Sequence, residues 1–218
     1  MRYNLVIFDL DGTLVDSLPD IAGALNEGLA ALGRPPFPVP EVRALVGEGV
    51  LRLAEKALAE RPPAEAGLAE VLADRVRATY RARPCVQSRL YPGIHELLQT
   101  LRADPARRLA VLTNKPGEVT RPLLAALGID QLFHAVIGDG DGFPRKPDPG
   151  AARALLDRFS CEPGGALVVG DGLPDLQIAR AAACDSAAAL WGYTPAEELL
   201  ALAPTYQLGS PLDVLGIA

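Results

Sequence analysis

The chain has 218 residues, 49% hydrophobic and 22% charged, with 21 basic against 27 acidic side chains and a formal charge of −6. Such proportions exclude collagen-like, mucin-like and intrinsically disordered chains. The acidic balance and the lack of a Lys/Arg cluster speak against nucleic acid or an anionic membrane as a stable partner, and no apolar run approaches the roughly 20 residues of a membrane-spanning helix.

The first apolar run, Leu5 to Phe8, is cut short by Asp9. That is well under the ~7–15 residues of a signal-peptide core, so the expected compartment is the cytoplasm. Tyr3 to Phe8 reads as a short buried strand feeding the turn Asp9-Leu10-Asp11-Gly12-Thr13. From about Asp16 to Pro84 the pattern is helical throughout. Ile21, Leu25, Leu29 and Leu32 share one helix face closed by Gly33, and the link Pro35 to Pro40 follows. Val42 and Leu45 begin a second helix, Leu51 to Leu58 form a third, and Leu68, Leu72, Val76 and Tyr80 mark a fourth.

Beyond this insert, apolar runs at Leu109–Leu112, Ala135–Ile137, Ala166–Val169 and Ser186–Leu190 alternate with helical patterns at Ile94–Leu101, Ala152–Phe159 and Leu176–Ala183. Strands separated by helices imply βαβ units and a parallel sheet covered on both faces. The expected fold is α/β: a Rossmann-like, doubly wound parallel sheet core with an inserted α-helical cap domain. The core would comprise 1–15 and 86–218, and the cap 16–85. An insert after the first strand sits over that strand's C-terminal end, where open α/β sheets bind ligands. Cys85, Cys161 and Cys184 lie far apart without zinc spacing and read as small buried hydrophobes in a reducing compartment.

Asp9 and Asp11 are two residues apart at a strand end, which sends both carboxylates to one side. Like charges held that close call for a cation or a shared proton, so the pair can supply a nucleophile and an acid/base. A calcium loop from Asp9 would want Gly at its sixth position, where Leu14 stands; a helix-capping role is the other plain reading. Only three of the 21 basic residues are lysines, and Lys115 and Lys146 each precede a proline. His95 and His134 match no motif and read as structural or solvent-facing, and Asp139-Gly140-Asp141-Gly142 reads as a turn leading to Lys146.

Phe8-Asp9-Leu10-Asp11-Gly12-Thr13-Leu14-Val15 resembles the first motif of the haloacid dehalogenase superfamily of phosphohydrolases. Val111-Leu112-Thr113-Asn114-Lys115, Arg145-Lys146-Pro147-Asp148-Pro149 and Gly170-Asp171-Gly172-Leu173-Pro174-Asp175 resemble the second, third and fourth. The resemblance implies a magnesium-dependent phosphomonoesterase for a small phosphorylated metabolite. Asp9 would be the nucleophile, through an aspartyl-phosphate intermediate, and Asp11 the acid/base. Thr113, Asn114 and Lys146 would bind the phosphoryl group. Asp9, Asp171 and the Asp11 backbone carbonyl would hold Mg²⁺, with Asp175 supporting the metal or serving its helix N-terminus. Thr113 is preferred to its neighbour Lys115, and Gly172 departs from the small hydroxyl residue common at its place.

Arg43-Ala44-Leu45-Val46-Gly47-Glu48-Gly49 resembles a cap segment of the phosphoglycolate phosphatases, as Ala189-Leu190-Trp191-Gly192-Tyr193 resembles their tail. Arg43, Gly47 and Glu48 are therefore candidate specificity residues, Arg43 toward a substrate carboxylate or else solvated, and Trp191 is expected to pack. The resemblance favours 2-phosphoglycolate as substrate. A sugar phosphomutase of the β-phosphoglucomutase type, a pyrophosphatase, a nucleotidase and a silent phospho-ligand binding protein are the alternatives, with a monomer or homodimer as the assembly.

Overall fold

The computed structural model describes residues 2–60 and 66–218; Met1 and positions 61–65, which fall within the expected core and cap spans, lie outside the described residues. In chain order the first half contains β1 (Leu5–Phe8), β2 (Val15–Asp16), α1 (Leu18–Ala31), α2 (Val39–Val42), α3 (Val50–Ala59), α4 (Leu68–Ala82), β3 (Arg89–Leu90) and α5 (Ile94–Arg102). There follow β4 (Arg108–Pro116), α6 (Gly117–Ala126), β5 (Ala135–Asp139), α7 (Gly150–Arg158), β6 (Ala166–Gly170), α8 (Leu173–Ala181), β7 (Asp185–Ala189), α9 (Ala196–Leu200) and β8 (Tyr206–Leu208).

Six strands form one parallel sheet in the order β5-β4-β1-β6-β7-β8. The chain leaves β1 for β4 and β5 on one side, then crosses to β6, β7 and β8 on the other. Central β1 thus lies at the reversal of strand order, the place where such sheets bind ligands. Period-2 alternation divides its side chains between two faces. Val6 and Phe8 join Leu109, Val111 and Val169 beneath α5 and α6, whereas Leu5 and Ile7 join Ala110, Leu112 and Val168 beneath α7 and α8. Helices α1 to α4 bury a separate cluster that includes Leu25, Leu29, Leu53, Leu72 and Val76 and reaches Val119 of α6.

The expected α/β parallel architecture is present, with differences of physical origin. β4 runs on to Pro116, past the apolar run that ends at Leu112, with a register shift against β5 between Leu112 and Pro116 and with Thr113, Asn114 and Lys115 buried. The links that flank the insert are paired: β2 and β3 form a two-residue antiparallel ladder where the chain leaves and re-enters the core. The second insert helix is one turn, α2, continued by a 3-10 turn over Arg43–Leu45. Of the cysteines only Cys184 is buried; Cys85 in the return link and Cys161 after α7 are half-buried at cluster edges. His95 is exposed, and His134 accepts the Leu109 N–H at Nδ1, 3.0 Å away. Trp191 packs on the core and donates to Thr13 O at 3.0 Å.

Asp20, in the first turn of α1, holds the return link. Its carboxylate accepts the N–H groups of Val86, Gln87 and Ser88 at 2.9–3.0 Å and the Ser88 hydroxyl at 2.6 Å. Partial burial opposes ionisation, yet the Ser88 hydroxyl and these backbone donors hold its carboxyl below the usual carboxylate range. The ionised form therefore stabilises the fold above the unfolded pKa of about 4, and the contribution is lost as pH falls through the lower folded value. Asp20→Asn is expected to reduce the unfolding free energy by on the order of 1 kcal/mol near neutral pH, allowing for solvent screening. Urea denaturation over a pH series should show the gap to wild type closing as pH falls below about 4; a gap independent of pH would contradict this role.

Candidate active site

Parallel register sets Phe8 level with Val111 and Val169, so β1, β4 and β6 deliver their next residues to a common edge. Asp9 and Asp11 follow β1, Thr113 to Lys115 lie at the end of β4, and Asp171 follows β6. The turn after β1 passes so close to Asp171 that a Cβ on Gly12 would lie 2.2 Å from its Oδ2, and Gly12 has φ +89°, so glycine is required there on both counts. On the opposite side a Cβ on Gly192 would stand 2.1 Å from the Asp171 Cβ.

Asp9, Asp171 and Asp175 each offer a carboxylate oxygen, and these oxygens lie within 4.8 Å of one another. Lys146 Nζ donates to Asp9 Oδ1 (2.6 Å), Asp175 Oδ1 (2.6 Å) and the Leu112 carbonyl (2.8 Å), so all three of its donors are engaged. Asp171 accepts the Thr13 hydroxyl and the Tyr193 N–H, each at 2.7 Å, and Asp175 accepts the Gly172 N–H at 2.9 Å. Burial, followed by the charges of Asp9 and Asp175, raises Asp171 to about 8. Burial also raises Asp9, to about 6, with Lys146 opposing and Asp175 adding to the shift. Burial works against the Lys146 ammonium, but Asp175 and Asp9 hold its pKa above the ordinary lysine value. A compact, oxygen-only set of carboxylates still short of positive charge suits a hard divalent cation such as Mg²⁺, so the residues present fit the expected metal.

Asp11 faces elsewhere. Its carboxylate accepts Lys115 Nζ at 2.9 and 3.1 Å and the Ser17 hydroxyl at 2.5 Å, leaving it outside the acidic cluster. Lys115 is buried, and its Nζ sits 4.8 Å from the ring centroid of Tyr80 on α4. Two spaces open over the carboxylates. A chamber of ≈ 50 Å³ is bounded by Asp9, Asp11, Lys115, Tyr80, Val50 and Leu53, among others. A cleft of ≈ 960 Å³, also bordered by Asp9 and Asp11, extends past Lys146, Glu48 and Arg43.

Thus Asp9, Thr113, Lys146, Asp171 and Asp175 gather at this end of the sheet with Asp11 turned toward Lys115, whereas Asn114, Arg43 and Glu48 make bonds to other parts of the fold. The Asn114 amide donates to Gly47 O (3.1 Å) and Lys146 O (3.2 Å) and accepts the Lys146 N–H (2.9 Å), tying β4 to two loops. Arg43 is exposed at the edge of the cleft. It donates to Tyr193 O at 2.7 Å and to Gly192 O, carbonyls that the turn after β7 exposes. Glu48 is held by Lys56 at 2.6 Å. Lys115 and Tyr193 stand out beyond expectation. Tyr193 links Asp171 to the N–H groups of Ser17 and Leu18, which its hydroxyl accepts at 2.8 and 2.9 Å. The rarity of lysine and its place directly after Thr113-Asn114 were the available signal for Lys115; for Tyr193 the tail motif was the only one.

The family model described as haloacid dehalogenase-like hydrolase matches residues 3–183. Phosphoglycolate phosphatase 1 of Pseudomonas aeruginosa is 36% identical over 218 residues, covering 98% of this chain and 79% of that protein. A phosphoglycolate phosphatase of Haemophilus influenzae is 39% identical over 199 residues, with 88% of each chain covered. Among solved structures, a predicted phosphoglycolate phosphatase from Haemophilus somnus superposes with a TM-score of 0.91 at 31% identity, over 100% of this chain and 98% of its own. A haloacid dehalogenase-like family protein of Streptococcus pneumoniae gives 0.87 at 26% identity, over 99% and 98%. With the carboxylates, lysines and sheet end arranged as described, the chain belongs to the haloacid dehalogenase-like hydrolases.

Proposed function

We propose that the protein is a magnesium-dependent phosphomonoesterase acting through an aspartyl-phosphate, with 2-phosphoglycolate as its substrate. In this reading 1–15 and 86–218 form the catalytic core and 16–85 a cap that closes over it. The observation that carries it is the division of two neighbouring carboxylates between separate partners, Asp9 on Lys146 and Asp11 on Lys115 and Ser17. One can serve as nucleophile while the other moves protons. The substrate is supported by the names of the relatives and by the small chamber beside Asp11.

An Asp9 oxygen attacks phosphorus as the bond from phosphorus to the ester oxygen breaks, and the departing oxygen takes a proton by way of Asp11. Water then attacks the phosphoryl group on Asp9 and passes a proton to the Asp11 carboxylate. The phosphorus–Asp9 bond breaks, free phosphate leaves, and both side chains return to their starting state. Lys146 orients Asp9 and, with the Thr113 hydroxyl, faces the phosphoryl oxygens; Asn114 contributes by exchanging a carbonyl it now holds. Mg²⁺ held by Asp9, Asp171 and the Asp11 carbonyl, with Asp175 steadying the site through Lys146, would neutralise phosphoryl charge.

Phosphate release should require magnesium and stop with EDTA. Asp9→Asn should lower kcat by at least ~10³-fold, the scale for loss of a covalent nucleophile, and Asp11→Asn by ~10²–10⁴-fold. Retention of wild-type turnover by Asp9→Asn would sink the mechanism. Independently of turnover, magnesium at ten times its Kd should stabilise the wild type by roughly 1.4 kcal/mol in thermal unfolding. Asp171→Asn should lose most of that gain; an undiminished gain would place the cation elsewhere.

A further inference from the structure

We propose that Lys115 is the specificity-determining residue of this site, recognising a carboxylate on the leaving group of a small phosphorylated acid held in the chamber under Tyr80. The inference rests on the phosphomonoesterase reading and deepens it. The two buried site lysines differ in what they have left to give. All three Lys146 donors are taken by two carboxylates and a carbonyl. Lys115 has a single carboxylate partner, Asp11, whose two oxygens lie 2.9 and 3.1 Å from its Nζ, and its other neighbour is the Tyr80 ring, a weaker contact with which a substrate carboxylate has to compete.

The chamber has the size and polarity for such a group. About 10–15 Å³ of this kind of space accommodates one water-sized group, so ≈ 50 Å³ suits about four non-hydrogen atoms, the methylene and carboxylate of a two-carbon acid. Its walls include Ile21, Val46, Val50 and Leu53, which offer nothing to an anion. Asp9 and Asp11 also line it and repel one, so a carboxylated leaving group needs a compensating charge, and Lys115 is the cation among the described lining residues. Tyr80 and Asp11 hold the ammonium in place beforehand, which spares a bound carboxylate the entropy of ordering a free lysine. A hydroxyl in place of the carboxylate would lose the charge-assisted bond and keep the rest.

The test compares 2-phosphoglycolate with 2-hydroxyethyl phosphate, which has the same skeleton without the charge. Wild type should prefer the carboxylate in kcat/KM by about tenfold to a hundredfold. Lys115→Met should collapse that ratio toward one, whatever it does to both rates together through Asp11, and Lys115→Arg should restore part of it. Binding of 3-phosphonopropionate against 3-hydroxypropylphosphonate, measured by calorimetry with magnesium, gives the same comparison without turnover. Should Lys115→Met fail to fold, Lys115→Gln, which keeps a polar side chain without the charge, carries the same expectation. A ratio near one in the wild type, or one unchanged in Lys115→Met, overturns the inference while leaving the phosphatase intact. Phosphate release from no compound overturns the phosphatase reading, and the binding comparison then judges Lys115 by itself.

Discussion

Carboxylates crowded at the end of one buried strand set the terms for the rest of this molecule. Asp9, Asp171 and Asp175 bring their oxygens within 4.8 Å of each other in a largely dry setting, an arrangement that burial and mutual repulsion both oppose. What offsets the repulsion comes from distant parts of the chain: the Lys146 ammonium, the Thr13 hydroxyl, and the N–H groups of Gly172 and Tyr193. Removing one partner of such a buried pair commonly costs ~3–5 kcal/mol, so the neighbouring loops are constrained in conformation as well as sequence. Gly12 and Gly192 follow from this constraint, since neither backbone could approach Asp171 with a side chain attached.

The same constraint explains how the helical unit is fastened. Tyr193 donates its N–H to Asp171, accepts the first N–H groups of the insert with its hydroxyl, and offers its carbonyl to Arg43. One residue thereby connects a cluster carboxylate, the stem of the insert and the turn after α2. Asn114 does the equivalent on the other side, joining β4 to Gly47 and to the Lys146 backbone. Polar groups expected to meet a ligand are in part the fastenings that bring the helices over the carboxylates.

Much of this was legible in the sequence wherever the information is local. Leu5 to Phe8 shows its burial by composition, and Asp9 and Asp11 follow it directly, so strand, turn and paired carboxylates could be read together. The β4 extension could not, because Thr113-Asn114-Lys115-Pro116 carries polar and turn-forming residues whose neighbours, among them Asp11, Gly47 and Lys146, lie far off in sequence. Helix α6 opens just after Pro116 and contains Pro122, so its periodicity is masked, and β8 is only three residues long. Contacts spanning the chain leave no pattern at all: Lys115 meets Asp11 across 104 positions and Arg43 meets Tyr193 across 150. Arg43 illustrates the consequence, since a cation beside a ligand cleft looks the same in sequence whether it binds substrate or backbone carbonyls.

The arrangement separates reactivity from selection. Asp9, Lys146 and Asp171 sit on strand ends and loops of the sheet, fixed by parallel register and by one another. The chamber wall opposite them comes from Ile21 of α1, Val50 and Leu53 of α3, and Tyr80 of α4, which are themselves buried members of the separately packed helical cluster. Side chains on those helices can change the size and polarity of the space without disturbing the carboxylates. Lys115 is where the separation fails, because it lies on β4, bonds to Asp11 and yet faces the Tyr80 ring. A single buried ammonium thus joins the Asp11 carboxylate to the chamber wall, so in the mechanism proposed above leaving-group charge and Asp11 chemistry would be coupled.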